Sequence, residues 1–199
     1  MRFTGKMFCI GLTKTGTSSL HEALKRLGYN SNHDAQGITK AVDQALAEGL
    51  KPLHYLEEFD AFTCSGYIWQ KFKDLDAHYP GSKFILTNRE EKSWLASMER
   101  HMALNQFRPN YKGKVRTFNA ERQLRTRSEH HADVRDYFKD RPDDLLEISI
   151  MEGEGYEKLC PFLGVETVEE QFPSLNSAVE RLQKAIKKSG KKVKLRYQD

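Results

Sequence analysis

The sequence predicts an α/β domain in which a parallel sheet is flanked by helices on both faces. Short apolar runs rich in strand formers alternate with stretches of helical periodicity. The connections between them are short. Two of the runs, Met7-Phe8-Cys9-Ile10 and Lys83-Phe84-Ile85-Leu86-Thr87, feed directly into helical patterns. Alternation of this kind argues for strands covered on both sides, whose ligands sit beyond the strands' carboxyl ends.

Taken in order, the first strand falls near residues 6–12 and the first helix over 17–27, where Leu20, Ala23, Leu24 and Leu27 recur at helical spacing before Gly28 stops the pattern. A weaker strand near 29–33 and a helix over 36–48 follow. Next come a strand over 59–64, a helix over 67–78, a strand over 83–88 and a helix over 91–106. A helix over 119–139, a strand over 145–150 and helices over 153–163 and 174–188 complete the series. There is no internal repeat and no low-complexity linker, so one domain is expected over 1–199.

The informative stretch is Gly11-Leu12-Thr13-Lys14-Thr15-Gly16-Thr17-Ser18-Ser19-Leu20, between the first strand and the first helix. The N–H groups of a helix's first turn and the positive end of its dipole favour an anion there. Gly11 and Gly16 permit a tight turn and close approach, Lys14 adds a mobile charge, and Thr15, Thr17, Ser18 and Ser19 add hydroxyls. The spacing departs from a Walker A loop, which puts lysine directly after the second glycine and a magnesium-binding hydroxyl after that. Thr17 follows Gly16, and the lysine lies inside the loop.

This arrangement resembles the 5′-phosphosulfate loop of sulfotransferases, whose core reads roughly Lys-x-Gly-Thr-[ST]. The resemblance implies a P-loop NTPase-like three-layer fold and a donor, 3′-phosphoadenosine 5′-phosphosulfate (PAPS), with 3′-phosphoadenosine 5′-phosphate (PAP) as product and no metal. It gives Lys14 the phosphosulfate contact and assistance to the departing phosphate, with Thr15, Gly16, Thr17, Ser18 and Ser19 wrapping the 5′-phosphate. The same family holds the 3′-phosphate with an arginine at a strand end and a serine about two helical turns later, which Arg89 and Ser97 match. An arginine's planar fork suits two phosphate oxygens at once.

Asp60-Ala61-Phe62, the run from Tyr79 to Thr87, Arg141-Pro142-Asp143-Asp144-Leu145-Leu146, Cys160-Pro161-Phe162-Leu163-Gly164, Phe172-Pro173 and Asn176 narrow the resemblance. They look like small, single-domain bacterial sulfotransferases over almost the whole chain, from about Phe8 to Asn176. The implied reaction moves a sulfuryl group from PAPS to an acceptor hydroxyl or amine on a small molecule, glycan or lipid.

Such a transfer needs a general base near the acceptor. That small group resembles enzymes with an aspartate shortly after the Asp-Ala-Phe segment, where this chain has Cys64-Ser65-Gly66. Other sulfotransferases place a glutamate about 20 residues beyond the loop's basic residue, and His33 and Asp34 lie 19 and 20 residues after Lys14. His33 accepts a proton at physiological pH, and Asp34 either orients it or acts itself. His54, His130 and His131 are reserves; Arg125, Arg127 and Arg135 suggest a wet face for the helix carrying the last two. Trp69, Phe72, Phe107, Tyr111 and Phe118 are candidates for an acceptor pocket or for core.

Composition fits a cytoplasmic enzyme. The chain has 199 residues, 38% apolar and 30% charged, with a net charge of +4. No apolar run approaches the roughly 20 residues that cross a bilayer, and Lys6, Gly11 and Lys14 interrupt the N-terminal apolar residues too early for a signal peptide. Cys9, Cys64 and Cys160 are widely spaced, with no metal-binding pattern. Residues 181–199 form a basic tail with eight Lys or Arg against Asp199 alone, and residues 108–127 hold seven against Glu121. With no interleaved aromatic apart from Tyr197 the tail reads as a solvated end, and no nucleic-acid partner is expected; by the resemblance, the stretch 108–127 falls where such sulfotransferases vary their acceptor-facing segments and is expected to cover the site or attract an anionic acceptor. Two other readings stay open: a P-loop kinase using ATP and magnesium, and a catalytically inactive nucleotide-binding protein.

Overall fold

The computed structural model describes residues 3–64, 66–105 and 118–174. The predicted helix over 174–188 beyond residue 174, residues 108–117 of the basic stretch, the basic tail, Phe107, Tyr111 and Asn176 lie outside them. Five strands form one parallel sheet: β1 (Met7–Cys9), β2 (Ser31–Asn32), β3 (Ala61–Phe62), β4 (Lys83–Thr87) and β5 (Leu145–Ile148), in the spatial order β2-β3-β1-β4-β5. Seven α-helices are described: α1 (Thr17–Arg26), α2 (Ala35–Ala47), α3 (Gly66–Gln70), α4 (Phe72–His78), α5 (Glu91–Asn105), α6 (Ala120–Phe138) and α7 (Tyr156–Leu163).

The alternation of a β-strand decides which helices cover which face. In β1, Phe8 and the following Ile10 point to one side, where they join Phe62, Phe84 and Leu86 with Ile38 and Val42 of α2, Ile68 of α3, Phe72 and Leu75 of α4, and Val134 and Phe138 of α6. Met7 and Cys9 point to the other, where they meet Ala61, Ile85 and Ile148 with Leu20, Ala23 and Leu24 of α1 and Tyr156, Leu159, Cys160 and Leu163 of α7. The result is the expected three layers. Phe8, Phe62 and Phe84 are fully buried, each stabilising by about 1.5–3 kcal/mol, and Phe8 packs on both others at centroid distances of 5.8 and 5.3 Å.

Every strand is shorter than the sequence predicts, and the difference at β1 has a clear cause. Ile10 still donates its N–H to Ile85 O at 2.9 Å, but the chain then leaves the sheet so that Gly11 can pack on Thr87. The predicted helix over 67–78 is two helices, because Lys71 adopts φ −116° and ψ 26° between α3 and α4. Ile68, Phe72 and Leu75 all reach the same core across that break, so apolar periodicity cannot reveal it. The helix predicted over 153–163 begins at Tyr156, after a short 3-10 turn (Ile150–Glu152) that Gly153 ends in the left-handed region at φ 99°.

The sheet order fixes where a ligand can lie. From β1 the chain crosses toward β2, and from β4 toward β5, on the opposite side of the sheet. The crevice therefore opens beyond the carboxyl ends of the neighbouring strands β1 and β4. Among the described residues no helix is long and apolar enough to cross a membrane.

Candidate functional site

Residues 10–16 bridge β1 and α1 in a tight loop whose carbonyls are held individually. Leu12 O accepts from the Thr15 hydroxyl at 2.6 Å, Thr13 O from the Trp94 indole at 3.0 Å and Lys14 O from Arg89 Nη1 at 3.3 Å. A trans peptide sets its N–H antiparallel to its C=O. Three successive peptides, whose N–H groups belong to Thr13, Lys14 and Thr15, are thereby fixed in orientation.

The loop's conformation is strained where the chemistry is expected. Lys14 has φ 76°, among the described residues the only non-glycine with positive φ, which costs about 1–3 kcal/mol unless neighbours enforce it. Arg89 and Trp94 supply that enforcement. Gly16 has φ 105° at the start of α1, where no side chain caps the helix and no acidic residue occupies the first turn. α2, by contrast, is capped by Asp34, whose side chain accepts from Gln36 N.

The hydroxyls divide into two groups. Thr15 is 1% exposed and gives its proton to Leu12 O, so in its 2.6 Å bond with Thr87 Oγ1 it accepts. The Thr15 side chain is committed to the loop, and what it can offer an anion is its main-chain N–H. Ser18 sits in the first turn of α1 and lies 3.1 Å from His33 Nε2, while Ser19 is 2% exposed.

At the end of β4, Asn88 N still bonds Ile148 O at 2.8 Å, and Arg89 turns back over the loop. Its Nε donates to Ser93 Oγ at 2.9 Å. Ser97 follows one turn later on the same helix and is 8% exposed. Glu90 does not pair with Arg89; its carboxylate accepts from Lys92 N and Ser93 N, and those bonds, Ser93 first, hold its pKa below the usual value.

Sequence reasoning missed Arg127, Trp94, Ser93 and Thr87. Arg127 of α6 donates through Nη2 to Asn88 Oδ1 at 2.8 Å and to Arg89 O at 2.7 Å, and lies over the Trp94 ring at 5.2 Å. It clamps the turn that carries Arg89. Its Nη1 is buried and, among the described residues, has no hydrogen-bond partner. Its signal was present: Arg127 is the last cation of the basic stretch 108–127, and Ser93 stands midway between Arg89 and Ser97.

The histidines are placed very differently. His33, at the end of β2, bonds Ser18 through Nε2 and Thr63 Oγ1 through Nδ1 at 2.9 Å, and stacks on His21 at 5.1 Å. It lies beside the loop. His130 is buried, donates Nε2–H to Ile10 O at 2.7 Å and meets Trp69 and Phe72 edge-on; it ties α6 to the end of β1. His54 precedes β3 in a turn whose neighbour Leu53 donates to the Tyr79 hydroxyl. Tyr79 leads into β4, so His54 belongs to the amino-terminal ends of the strands. Phe72 is core and Trp69 packs against it.

The wet face expected for α6 holds in part. Arg125 and Arg135 are exposed, Arg135 pairing at the surface with Glu147 of β5 through Nε and Nη2 at 2.8 and 2.7 Å, whereas Arg127 reaches the 88–89 turn and His131 is 7% exposed. An arginine can reach a polar group over its apolar stem, so Arg127 on its own does not mark a solvated stripe. Burial, then Arg127, His130 and Arg135, push His131 down to about 4 against the opposing pull of Glu147. Between the ordinary pKa near 6.5 and that value, the unfolded chain binds a proton that the folded one refuses. Stability contributed by neutral His131 is therefore full above about pH 6.5 and declines as pH falls toward 4. With solvent screening allowed for, the loss is about 1–2 kcal/mol. Urea unfolding at pH 7.5 and 4.5 should show His131→Leu less sensitive to acid than the native chain by that margin; equal sensitivity would remove His131 as the cause.

Between the first turns of α2 and α3, next to Asp34 in the chain, lies an open hollow of about 440 Å³ lined by Ala35, Gln36, Thr39, Lys40, Asp43 and Gly66. Among the described residues no group of His, Cys, Asp or Glu is arranged to hold a metal ion.

A sulfotransferase domain family matches the chain over two overlapping stretches, 6–111 and 100–181. The chain belongs to this sulfotransferase family. The sulfotransferase match spans β1, the loop, β4 and α6, and so contains every element of the crevice. A curated relative, "Ava biosynthesis cluster protein M" of Aspergillus versicolor, is 33% identical over 111 residues, covering 47% of this chain and 42% of the relative. The sulfotransferase chain thus spans under half of that relative's length.

Proposed function

We propose that the protein transfers the sulfuryl group of PAPS to an acceptor hydroxyl or amine. The observation that carries this reading is the 3.3 Å bond from Arg89 to Lys14 O, which joins the loop suited to a 5′-phosphate to the strand end suited to a 3′-phosphate. Three pinned loop carbonyls, an uncapped α1 without first-turn acids and the buried Arg127 Nη1 support it.

In this reading the N–H groups of residues 13–19, with Thr17 and Ser18, hold the 5′-phosphate, while Arg89, Ser97 and Arg127 hold the 3′-phosphate. The acceptor atom forms a bond to sulfur as the bond from sulfur to the bridging phosphate oxygen breaks. Lys14 stabilises the charge gathering on that oxygen. The acceptor's proton passes to His33, and PAP departs. We assign the base to His33 rather than Asp34, because the Asp34 carboxylate is engaged at the start of α2. The hollow between α2 and α3 is the approach we assign to the acceptor.

PAP should raise the melting temperature without magnesium, while ADP does little. At about 100 times the dissociation constant the gain approaches about 2.7 kcal/mol, or several degrees in a domain this size. Arg89→Ala should erase the preference for the 3′-phosphate. An absent shift, or an equal magnesium-dependent shift with ADP, would favour a kinase-like or unrelated site and overturn the assignment.

A further inference from the structure

The polar groups around His33 form a chain whose direction can be assigned by counting protons. Thr63 is 1% exposed, and its Oγ1 donates to Asn32 O at 3.2 Å. A hydroxyl has one proton; given to Asn32 O, it leaves the ring as the donor in the 2.9 Å bond between Thr63 Oγ1 and His33 Nδ1. A neutral imidazole carries one N–H, so Nε2 holds the lone pair. Ser18, 3.1 Å away, gives its proton to Nε2. The order runs from Ser18 through His33 and Thr63 to the Asn32 carbonyl.

This order has an effect on catalysis. The lone pair that a general base must present is occupied by a hydroxyl proton, and that hydroxyl belongs to the first turn of α1, which no side chain caps and where a helix N-terminus favours an anion. We propose that Ser18 masks the base His33 until the donor nucleotide binds, and that Thr63 holds His33 in the Nδ1–H form throughout. The proposal rests on the PAPS reading above. A phosphate oxygen at the start of α1 competes for the single Ser18 proton, and a charged acceptor wins over a neutral ring nitrogen. To reach the phosphate the Ser18 hydroxyl turns away from His33, and the single in-plane lone pair of Nε2 is then open to the acceptor's proton. One hydroxyl thus blocks the base before donor binding and releases it afterwards, so proton removal from the acceptor waits for the donor.

The titratable groups facing His33 are arranged consistently with this. From α1, His21 stacks on the ring at 5.1 Å and bonds Ser31 Oγ at 2.8 Å; burial, then Lys25, hold its pKa below the usual value. From the β2–α2 turn, Asp34 is engaged with Gln36 N. After β3, Cys64 has its thiol pKa raised, by burial first. Lys14 of the loop stands on the donor side.

The test uses the full chain with nitrogen-15-labelled histidine, at about pH 8, above the ordinary imidazole range. Before nucleotide, His33 should show a protonated Nδ1 and an unprotonated, hydrogen-bond-accepting Nε2. Saturating PAP should move the Nε2 resonance and raise His33 proton affinity about tenfold, the scale of one exchanged hydrogen bond to a charged group. In Ser18→Ala, Nε2 should begin at its unmasked position and respond far less, while PAP still raises the melting temperature. Thr63→Val should mix the two ring tautomers and lower kcat with the donor KM unchanged; Thr63→Ser should restore both. A native His33 that is Nε2–H, or one unmoved by PAP that demonstrably stabilises the fold, overturns the inference and leaves the PAPS reading standing. No stabilisation by PAP at all overturns both.

Discussion

Lys14→Ala should lower kcat by about 100- to 1,000-fold, the scale of removing one preorganised donor from a developing oxyanion. The donor's KM should change only a few-fold, because the interaction is strongest in the transition state. The loop itself should survive the change. Its shape is imposed by Thr15 on Leu12 O, Trp94 on Thr13 O and Arg89 on Lys14 O, none of which uses the lysine side chain. PAP should therefore still raise the variant's melting temperature. A kcat loss below tenfold would remove Lys14 from the charge-stabilising role, and loss of PAP stabilisation would make it a binding residue instead. Lys14→Arg is no substitute, since the broad guanidinium differs from a compact ammonium in shape and hydration.

Gly11→Ala should be severely destabilising. A Cβ there would lie 1.9 Å from Thr87 Oγ1, 2.6 Å from Thr87 O and 2.8 Å from Thr87 N. Two of those atoms are backbone of the central strand β4, which cannot yield without breaking its pairing with β1 and β5. The expected loss is about 3 kcal/mol or more, at the upper end of overpacking penalties, or roughly 6–12 °C in melting temperature for a domain of this length. Adding Thr87→Ala should recover only part of it, since the backbone contacts remain and the Thr15–Thr87 bond is lost. Full recovery would mean that the hydroxyl alone sets the constraint. Thermal unfolding followed by circular dichroism distinguishes these outcomes.

The sheet and its layers were legible because strand alternation and helical periodicity are local, and both survive in the sequence as apolar spacing. Met7 with Cys9 and Phe8 with Ile10 announce two buried faces before any contact is known. The loop was legible for a related reason, since glycine, lysine and hydroxyl residues at one helix start have few other uses. What was not legible was where polar side chains end. Of the arginines that suggested a wet helix, Arg125 and Arg135 are exposed while Arg127 reaches the 88–89 turn, because a long apolar stem under a charged tip is compatible with either side. His130 and His131 read as reserves on that wet helix with structural roles favoured, and α6, lying across the end of β1, buries both.

The sequence by itself determined the three-layer α/β architecture and the strand-loop-helix setting of Lys14, and it put Arg89 at a strand end with Ser97 eight residues later on the next helix. Tertiary structure alone decided that Arg89 reaches back to Lys14 O, that Arg127 arrives from 38 residues away to hold Arg89 O, and that Ser18, His33 and Thr63 come within hydrogen-bond distance of one another in turn. Periodicity and spacing report what a residue can do within its own element. Hydrogen-bond direction across β1, β2, β3 and β4 depends on which strands become neighbours, and only the folded sheet order sets that.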